Sequence, residues 1–275
     1  MADVVANGVR FNVARLGTAR ENNHTIVMLH GMVMDNLSSF YFTLANPAAL
    51  DHEVILYDQR GHGRSERPPS GYSVADSVAD LGAILDALDI DRPVVVLGNS
   101  YGGTVALEFA LRHPVRVAGV VLVEAHVAVD GWGDHMAGSL AFAAFGLDDD
   151  AVRTWLDEQG GRRLNRLAKN AEALIYDTSM LDDLAKVPVT TEADLRGLTV
   201  PVLALYGEHS DLLDRAATLA ASVPDCELHV MADFTHSLLM EATNEIKAAL
   251  AAFVSRLPFG GGSPTDQQPV AGAAS

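Results

Sequence analysis

The stretch that decides the fold reads PVVVLGNSYGGTVAL and spans residues 93–107. Its first part, Pro93 to Leu97, is an apolar run of strand length, and a helical pattern follows it. Between the two, Gly98, Ser100 and Gly102 form the pattern Gly-x-Ser-x-Gly. In this strand–turn–helix setting, the pattern predicts a sharp turn that presents the Ser100 hydroxyl as a nucleophile.

The small residues beside Ser100 indicate how such a turn can form. Glycine at positions 98 and 102 lets Ser100 adopt strained backbone angles, which project its hydroxyl at the helix N-terminus. At that place the N–H of Tyr101 can bind an oxyanion. The alternative is an ordinary turn in which Ser100 only caps the helix, and the strand–turn–helix context favours the nucleophile.

Apolar runs of strand length recur along the chain and alternate with longer helical patterns. They lie at Thr25 to Leu29, Val54 to Tyr57, Ala118 to Val123, Val200 to Tyr206 and Glu227 to Met231. The alternation predicts βαβ units in a mostly parallel sheet that is covered on both faces. Near the start of the chain, Asn7-Gly8 between two β-rich segments predicts an antiparallel hairpin at the sheet edge.

The helical patterns indicate the domain organisation. Ser73 and Asp76 resemble a capping box before an amphipathic helix, and a final helix is predicted over about Leu238 to Leu257. From Val127 to Leu198, helical and charged sequence replaces the strand pattern. We therefore predict a core of residues 1–126 and 199–257, a helical cap of residues 127–198, and a disordered tail of residues 258–275.

Composition and charge exclude several classes of protein. The 275 residues are 49% hydrophobic and 20% charged, so the chain can bury a sizeable core and is not globally disordered. Nineteen Lys and Arg against 36 Asp and Glu give a net charge of −17, which disfavours nucleic acid and anionic membranes as partners. The first twenty residues have no apolar signal segment, so we expect a soluble, cytoplasmic protein.

Three further segments place polar residues after predicted strands. His30-Gly31-Met32 follows the first central strand, and Asp58-Gln59-Arg60-Gly61-His62-Gly63-Arg64-Ser65 follows the next. Near the C-terminus, His236 lies between the last strand and the last helix. A histidine titrates near pH 6.5 and is therefore suited to take the proton of Ser100.

Together with the Gly-x-Ser-x-Gly turn, these segments resemble the α/β-hydrolase fold family over nearly all of residues 1–257. The resemblance implies an α/β fold, in which helices flank a mostly parallel sheet and a helical cap is inserted. It also implies that the N–H of Met32 is the second oxyanion donor beside that of Tyr101. In the family's Gly-rich loop, Asp58, Arg60 and His62 are expected to be mainly structural.

The resemblance implies a triad in the chain order Ser, Asp, His. The family's acid follows the strand that ends near Tyr206, where the sequence Gly-Glu-His-Ser-Asp at residues 207–211 offers Asp211. The predicted catalytic residues are therefore Ser100, His236 and Asp211. Three other acids remain open, since Glu208 and Asp214 lie on the same loop and Glu124 ends the strand after the nucleophile.

The resemblance implies a hydrolase that cleaves an ester or thioester of a small hydrophobic acyl group through an acyl-enzyme. A carboxylate nucleophile is absent from the elbow, so epoxide hydrolase and haloalkane dehalogenase chemistry is disfavoured. The elbow also resembles that of carbon–carbon bond hydrolases, but Ser237 stands where those enzymes have Trp after the histidine. Acyl transfer and non-catalytic ligand binding are the remaining alternatives.

Substrate contacts are expected from loops above the strand ends. The candidates are His30, Gly31, Met34, Asp35 and His126. An apolar stripe of Met136, Leu140, Phe142 and Phe145 fits internal packing or a roof over an apolar substrate. A basic cluster of Arg162, Arg163, Arg166 and Lys169 fits a solvated helix face, or the steering of coenzyme A or an acidic carrier protein. Neither a metal nor a cofactor is expected, because the sequence lacks paired cysteines, metal-ligand spacing and a dinucleotide motif.

Overall fold

Eight strands build the central sheet of the chain, whose structure is a computed structural model that describes residues 1–147, residue 154 and residues 161–259. They are β1 (Ala2–Ala6), β2 (Val9–Leu16), β3 (Thr25–Leu29), β4 (Glu53–Tyr57), β5 (Val94–Asn99), β6 (Val117–Val123), β7 (Val202–Gly207) and β8 (Cys226–Met231). Their order across the sheet is β1-β2-β4-β3-β5-β6-β7-β8. The pairs β1/β2 and β2/β4 are antiparallel and the others are parallel, which confirms the predicted α/β-hydrolase fold class.

The predicted hairpin forms the sheet edge. Ala6 pairs with Val9, and the two residues between them, Asn7 and Gly8, have φ angles of 47° and 74°. Such left-handed pairs match the twist of the flanking strands in two-residue hairpins, and Asn-Gly adopts them at low cost. The local sequence therefore determines this turn.

The helices lie between and after the strands. They span Val74–Ala87, Tyr101–Arg112, Trp132–Leu147, Gly161–Tyr176, Met180–Leu184, Glu192–Arg196, Leu213–Ser222, Leu238–Glu241 and Thr243–Val254. The predicted capping box is present, because Asp76 N–H donates to Ser73 Oγ and Ser73 N–H donates to the Asp76 carboxylate. The predicted final helix is two helices, because the backbone of Ala242 leaves the helical region with φ −117° and ψ 35°.

One helical segment was not predicted from the sequence. Between β3 and β4, α-helical Ser38–Phe40 continues into a π-helical turn, Tyr41–Ala45, and then into Asn46–Ala48. Phe40 and Leu44 of this segment are buried against one face of the sheet. The segment is short and irregular, so it lacks the sustained 3.6-residue pattern that indicates a helix.

The strands bury both faces, as their continuous apolar runs require. Side chains alternate along β3, so that Val27 faces one apolar layer and Ile26 faces the other. The Tyr101–Arg112 helix packs on the first face, and the Thr243–Val254 helix packs on the second. Each fully buried aliphatic side chain stabilises the fold by about 1.5–3 kcal/mol, and this holds the carboxyl ends of the parallel strands in register.

In its described residues, the insertion between β6 and β7 contains helices Trp132–Leu147, Gly161–Tyr176, Met180–Leu184 and Glu192–Arg196. Trp132, at the start of the Trp132–Leu147 helix, is 1% exposed and packs into the core. Residues 148–153 and 155–160 of the predicted cap, and residues 260–275 of the predicted tail, lie outside the described residues. Within the described ranges, no helix combines the length and apolarity needed to span a membrane.

Candidate active site

Ser100 lies on a strained turn at the edge of the sheet where the parallel strands end. It follows the last residue of β5 and precedes the Tyr101–Arg112 helix, with φ 52° and ψ −119°. A residue with a side chain rarely adopts such angles, and they persist only where the surrounding structure enforces them. Strain of this kind is typical of functional turns and presents the side chain outward.

The glycines of the pattern are required by close approaches of the backbone. A Cβ on Gly98 would lie 2.2 Å from the carbonyl oxygen of Gly102, and a Cβ on Gly102 would lie 2.1 Å from that of Leu29. Neither distance is compatible with a side chain. The turn at Ser100 therefore packs directly against the end of β3. This contact brings residues 30–34, which follow β3 and are called the oxyanion turn below, close to Ser100.

His236 is held by a buried acid. Its Nδ1 lies 3.0 Å from Oε2 of Glu124, a carboxylate with no exposed surface, while the His236 side chain is 44% exposed. Gly207 N–H and the Ser210 hydroxyl also donate to Glu124, both at 2.6 Å. The carboxylate thus accepts three hydrogen bonds, which orients the imidazole and leaves its Nε2 on the other side.

Asp211, the predicted acid, makes no hydrogen bond to His236 among the described residues, and the structure puts Glu124 at His236 instead. The reason is the register of the sheet: Asn99 at the end of β5 pairs with Val123 at the end of β6. Ser100 and Glu124 are the next residues on two neighbouring strands, and Ser100 N–H donates to the Val123 carbonyl at 2.9 Å. Asp211 lies beside Ser210 on the loop after β7, where its side chain is exposed.

The other two acids left open by the sequence also have different surroundings. Glu208 is exposed and its carboxylate accepts the N–H of Asp233 at 3.2 Å. Asp214 belongs to the first turn of the Leu213–Ser222 helix and makes no contact with the imidazole among the described hydrogen bonds. Of the four acids, Glu124 is the one bonded to His236.

The acid changes the titration of the base. The hydrogen bond to Glu124 raises the pKa of His236 above its ordinary value of 6.5, although burial opposes this rise. The charges of Glu124 and Asp211 raise the pKa further. An imidazolium at this site is therefore stabilised, which is what a base needs once it has taken a proton.

The turn after β3 faces the nucleophile. A Cβ on Gly31 would lie 3.5 Å from Asn99 Nδ2 and 3.7 Å from Ser100 Cβ. The N–H groups of Met32 and Tyr101, predicted as oxyanion donors, make no hydrogen bond among the described residues. Two amides that are free to donate thus belong to Tyr101, next to Ser100 in the chain, and to Met32, next to Gly31 in the turn that approaches Ser100.

Two predicted substrate contacts are also part of the scaffold. His30 is 0% exposed, and its Nε2 accepts the N–H of Gln59 while its Nδ1 donates to the Gly31 carbonyl. Both ring nitrogens are therefore occupied within the protein, and a substrate contact at His30 stays a prediction. Asp35 accepts the N–H groups of Gly31 and Asn36 and the hydroxyl of Ser39, so its carboxylate braces the turn.

The other predicted contacts have mixed surroundings. Met34 is 39% exposed, whereas Gly31 is buried beneath Ser100. The ring of His126 lies 5.7 Å from that of His236. Burial, followed by the charge of His236, lowers the pKa of His126 to about 4, so its imidazole is neutral near pH 7. The structure therefore puts the neutral ring of His126 beside the ring of His236.

The sequence analysis missed Trp132, whose ring lies 6.2 Å from that of His126. His126 Nδ1 and Trp132 Nε1 are both buried and have no partner among the described residues. Tryptophan at the start of a helix of the insertion gives no signal of this proximity in the sequence. In the predicted apolar stripe, Met136 and Leu140 pack against the core, whereas Phe142 and Phe145 are 80% and 73% exposed.

One group in the described part of the chain offers metal-ligand atoms within 4.8 Å of one another: Glu208, His209 and Asp233. All three residues are exposed, and they lie on the loops after β7 and β8. A cavity of about 370 Å³ lies elsewhere, between the Asn36–Phe42 segment and Arg166 to Asn170 of the insertion. Neither Ser100 nor His236 lines it.

Comparison with known proteins gives consistent matches. The family described as the alpha/beta hydrolase fold matches residues 24–243. A protein described as a non-heme haloperoxidase, from Mycobacterium phage D29, is 34% identical and covers 90% of this chain and 92% of its own length. A 2-hydroxymuconate semialdehyde hydrolase of Pseudomonas putida is 31% identical and covers 74% of this chain and 76% of its own.

Solved structures agree with these matches. Est816, described as an N-acyl homoserine lactone degrading enzyme, superimposes with a TM-score of 0.71 at 27% identity, covering 92% of this chain and all of its own. A metagenomic alpha/beta hydrolase, MGS-M2 from the Medee basin, gives a TM-score of 0.79 at 19% identity, over 94% of this chain and 98% of its own. The second likeness concerns the fold alone.

Proposed function

Because the chain belongs to the alpha/beta hydrolase fold family, we propose that it is a serine hydrolase that cleaves a carboxylic ester or thioester. The observation that carries the proposal is the arrangement of Ser100 on its strained elbow with His236 held by Glu124 at 3.0 Å. A buried carboxylate, an exposed imidazole and a serine at a helix N-terminus are the parts of an activated nucleophile.

The proposed mechanism follows from the placement of these groups. His236 Nε2 takes the proton of the Ser100 hydroxyl while Oγ attacks the carbonyl carbon of the substrate. The negative charge that develops on the carbonyl oxygen is stabilised by the free N–H groups of Met32 and Tyr101. Glu124 stabilises the imidazolium, which then gives its proton to the leaving alcohol or thiol as the carbonyl re-forms. A water molecule, deprotonated by His236, releases the acyl group in the same way.

Ester or lactone cleavage is supported by the likeness to Est816, which is described as degrading an N-acyl homoserine lactone. The His236 side chain is 44% exposed and Ser100 is partly exposed. A substrate can therefore approach both residues from the side of the sheet where the parallel strands end. The neutral imidazole of His126 beside His236 puts an uncharged ring next to the proposed base. This feature favours an uncharged acyl group.

Carbon–carbon bond hydrolysis is the second candidate. It is favoured by the similarity to the 2-hydroxymuconate semialdehyde hydrolase of Pseudomonas putida and by Asn99 beside the nucleophile. The Asn99 Oδ1 atom is buried without a partner among the described residues, and its Nδ2 faces Gly31. An amide in that position can meet a second oxygen of a diketone substrate.

A fluorophosphonate probe tests the nucleophile without knowledge of the substrate. Wild-type protein, Ser100→Ala and His236→Ala are incubated with the probe and their intact masses are recorded. We expect one adduct on the wild type and none on either variant. An unlabelled wild type, under conditions in which a small ester is bound, would remove the basis of the proposal and favour ligand binding.

A substrate screen then separates the candidate reactions. Wild-type protein is assayed with p-nitrophenyl butyrate, an N-acyl homoserine lactone, an acyl-coenzyme A and a vinylogous ring-fission diketone. Faster turnover of the esters supports the first candidate, and faster turnover of the diketone supports the second. Addition of a primary alcohol as competing acceptor tests acyl transfer, because a transferase would form the new ester in preference to the acid.

An acidic carrier protein or coenzyme A as the thioester carrier stays a proposal. Arg166 and Lys169 are exposed on the Gly161–Tyr176 helix, and Arg166 lines the 370 Å³ cavity together with Arg64. The side chains of Arg162 and Arg163 lie outside the described residues. We expect Arg166→Glu to raise KM for a carrier-bound thioester and to leave KM for p-nitrophenyl butyrate unchanged. An unchanged KM for the carrier-bound thioester, or the same rise in KM for both substrates, would contradict the proposal.

A further inference from the structure

Three of four consecutive amides in the turn after β3 are already bonded. Gly31 N–H donates to Asp35 Oδ2 at 2.8 Å, Val33 N–H to His62 Nε2 at 2.8 Å, and Met34 N–H to the Met32 carbonyl at 2.9 Å. The Met32 N–H is left free among the described residues. The turn is therefore fixed on both sides of the Met32 amide, which is one of the two proposed oxyanion donors.

The bond from Val33 determines which ring nitrogen of His62 carries a proton. An N–H donor needs a lone pair, so Nε2 of His62 must be unprotonated. The other nitrogen, Nδ1, lies 2.9 Å from the Arg60 carbonyl oxygen, to which it donates. His62 is thus a neutral bridge from the loop after β4 to the turn after β3.

Each end of this bridge is anchored. The Arg60 guanidinium forms a buried ion pair with Asp80, with nitrogen–oxygen distances of 2.8 and 2.6 Å. His62 is 4% exposed and its ring lies 5.1 Å from that of His30. Burial, followed by the charge of His30, lowers the pKa of His62 to about 3, which keeps the acceptor lone pair available.

Val33 is the residue that most needs such a bond. Its φ of 65° is unusual for a β-branched side chain, which rarely adopts the left-handed region. Without an acceptor for its N–H, Val33 would relax toward ordinary angles and turn the preceding peptide, which carries the Met32 carbonyl. Rotation of that peptide would also disturb the orientation of the Met32 N–H relative to Ser100.

We propose that His62 is a positioning residue of the oxyanion hole, which holds Val33 so that the Met32 N–H faces the reacting carbonyl. This inference rests on the proposed hydrolase function and adds to it a residue that does not touch the substrate. It revises the expectation that His62 is merely structural. The role requires a hydrogen-bond acceptor at the position of Nε2 and does not require a titrating group.

Two substitutions separate positioning from packing. His62→Phe keeps a buried ring and removes the acceptor, whereas His62→Gln offers an amide oxygen near the position of Nε2. With p-nitrophenyl butyrate, we expect kcat to fall about 10- to 100-fold in His62→Phe, with KM within about threefold. His62→Gln should recover kcat to within about fivefold of wild type. Binding of a trifluoromethyl ketone, whose adduct needs the oxyanion hole, should weaken in parallel with kcat.

His24→Phe is the matched control. His24 is also a buried histidine, 4% exposed, but it precedes β3 whereas the oxyanion turn follows that strand. We expect it to lower stability without changing kcat. An equal loss of kcat in His24→Phe and His62→Phe, or a folded His62→Gln without recovery, would overturn the proposal.

Nitrogen NMR of the ¹⁵N-labelled wild type tests the same point without a substitution, so unfolding of a variant cannot block the test. The His62 signals, assigned by their loss in His62→Gln or by through-bond correlation, should show protonated Nδ1 and unprotonated Nε2 from pH 5 to 8. Protonation on Nε2, or titration near pH 6.5, would refute the inference. If the tautomer is as expected but wild type does not react with the fluorophosphonate, the proposed function fails instead.

Discussion

Replacement of Glu124 by glutamine tests the proposed triad of Ser100, His236 and Glu124. The side chain keeps its length and can still accept the N–H of Gly207 through its Oε1. Its other terminal atom becomes an NH₂ group facing His236 Nδ1, where the carboxylate oxygen was at 3.0 Å. Two donors cannot share a hydrogen bond, so the imidazole must move its proton to Nε2. In that tautomer it cannot accept the proton of Ser100.

The magnitude follows from this change of tautomer. Loss of the acid's charge with retention of shape lowers kcat by about 10³- to 10⁴-fold in triad enzymes. At about 1.4 kcal/mol for each factor of ten, this is about 4–5.5 kcal/mol of transition-state stabilisation. Asp211→Asn, by contrast, removes an exposed carboxylate that is not bonded to His236, and we expect kcat to stay within about threefold.

The assay is hydrolysis of p-nitrophenyl butyrate at pH 8, with kcat and KM determined for wild type, Glu124→Gln and Asp211→Asn. Thermal unfolding of each protein establishes that the variants are folded, and the rate of fluorophosphonate labelling gives a second measure of Ser100 reactivity. A fall of 10³-fold in Asp211→Asn together with less than tenfold in Glu124→Gln would refute the assignment of Glu124. Comparable large losses in both variants would also refute it.

Three other predictions address the base, the elbow and the core. In the proposed mechanism neutral His236 is the base, and its pKa is raised, so the acid limb of kcat/KM against pH should have its midpoint above 6.5. The midpoint should move lower in Asp211→Asn, because the charge of Asp211 raises the pKa of His236. A midpoint below 6 in the wild type would contradict this prediction. Gly102→Ala, whose Cβ would lie 2.1 Å from the Leu29 carbonyl, should lower the free energy of unfolding in urea by about 3 kcal/mol or more. The control Gly138→Ala has open space around the added Cβ and should not be destabilised. Asp80→Asn removes the charged partner of the buried Arg60 and should lower the free energy of unfolding in urea by about 3 kcal/mol. The control Asp86→Asn breaks a surface pair with Arg116 and should lower it by about 0–1 kcal/mol.

Chemical features confined to one short segment could be predicted from the sequence. The apolar runs placed every central strand within about two residues, because burial on both faces demands continuous hydrophobic sequence. The Asn7-Gly8 hairpin and the Ser73 cap depend on backbone preferences of a few neighbouring residues. Ser100 and His236 were predicted as site residues in the same way, from a local pattern and from a place between strand and helix.

Packing between distant segments could not be predicted in this way. His62 and Val33 are 29 residues apart, and the bond between them depends on the packing of two loops that follow adjacent strands. This relation leaves no periodic or compositional signal in the chain.

By itself the sequence determined the class of the fold, and it predicted the turn at Ser100, the turn after β3 and the proposed base His236, because each depends on local backbone geometry or on an apolar pattern. Only the tertiary structure decided that Glu124, and not Asp211, reaches His236, from which it is separated by 112 residues. The physical reason is that the order and register of the strands put the end of β6 beside the end of β5. Which carboxylate bonds to the imidazole depends on the adjacency of β5 and β6 and on the length of the acid side chain. The residues around any one acid do not reveal that adjacency.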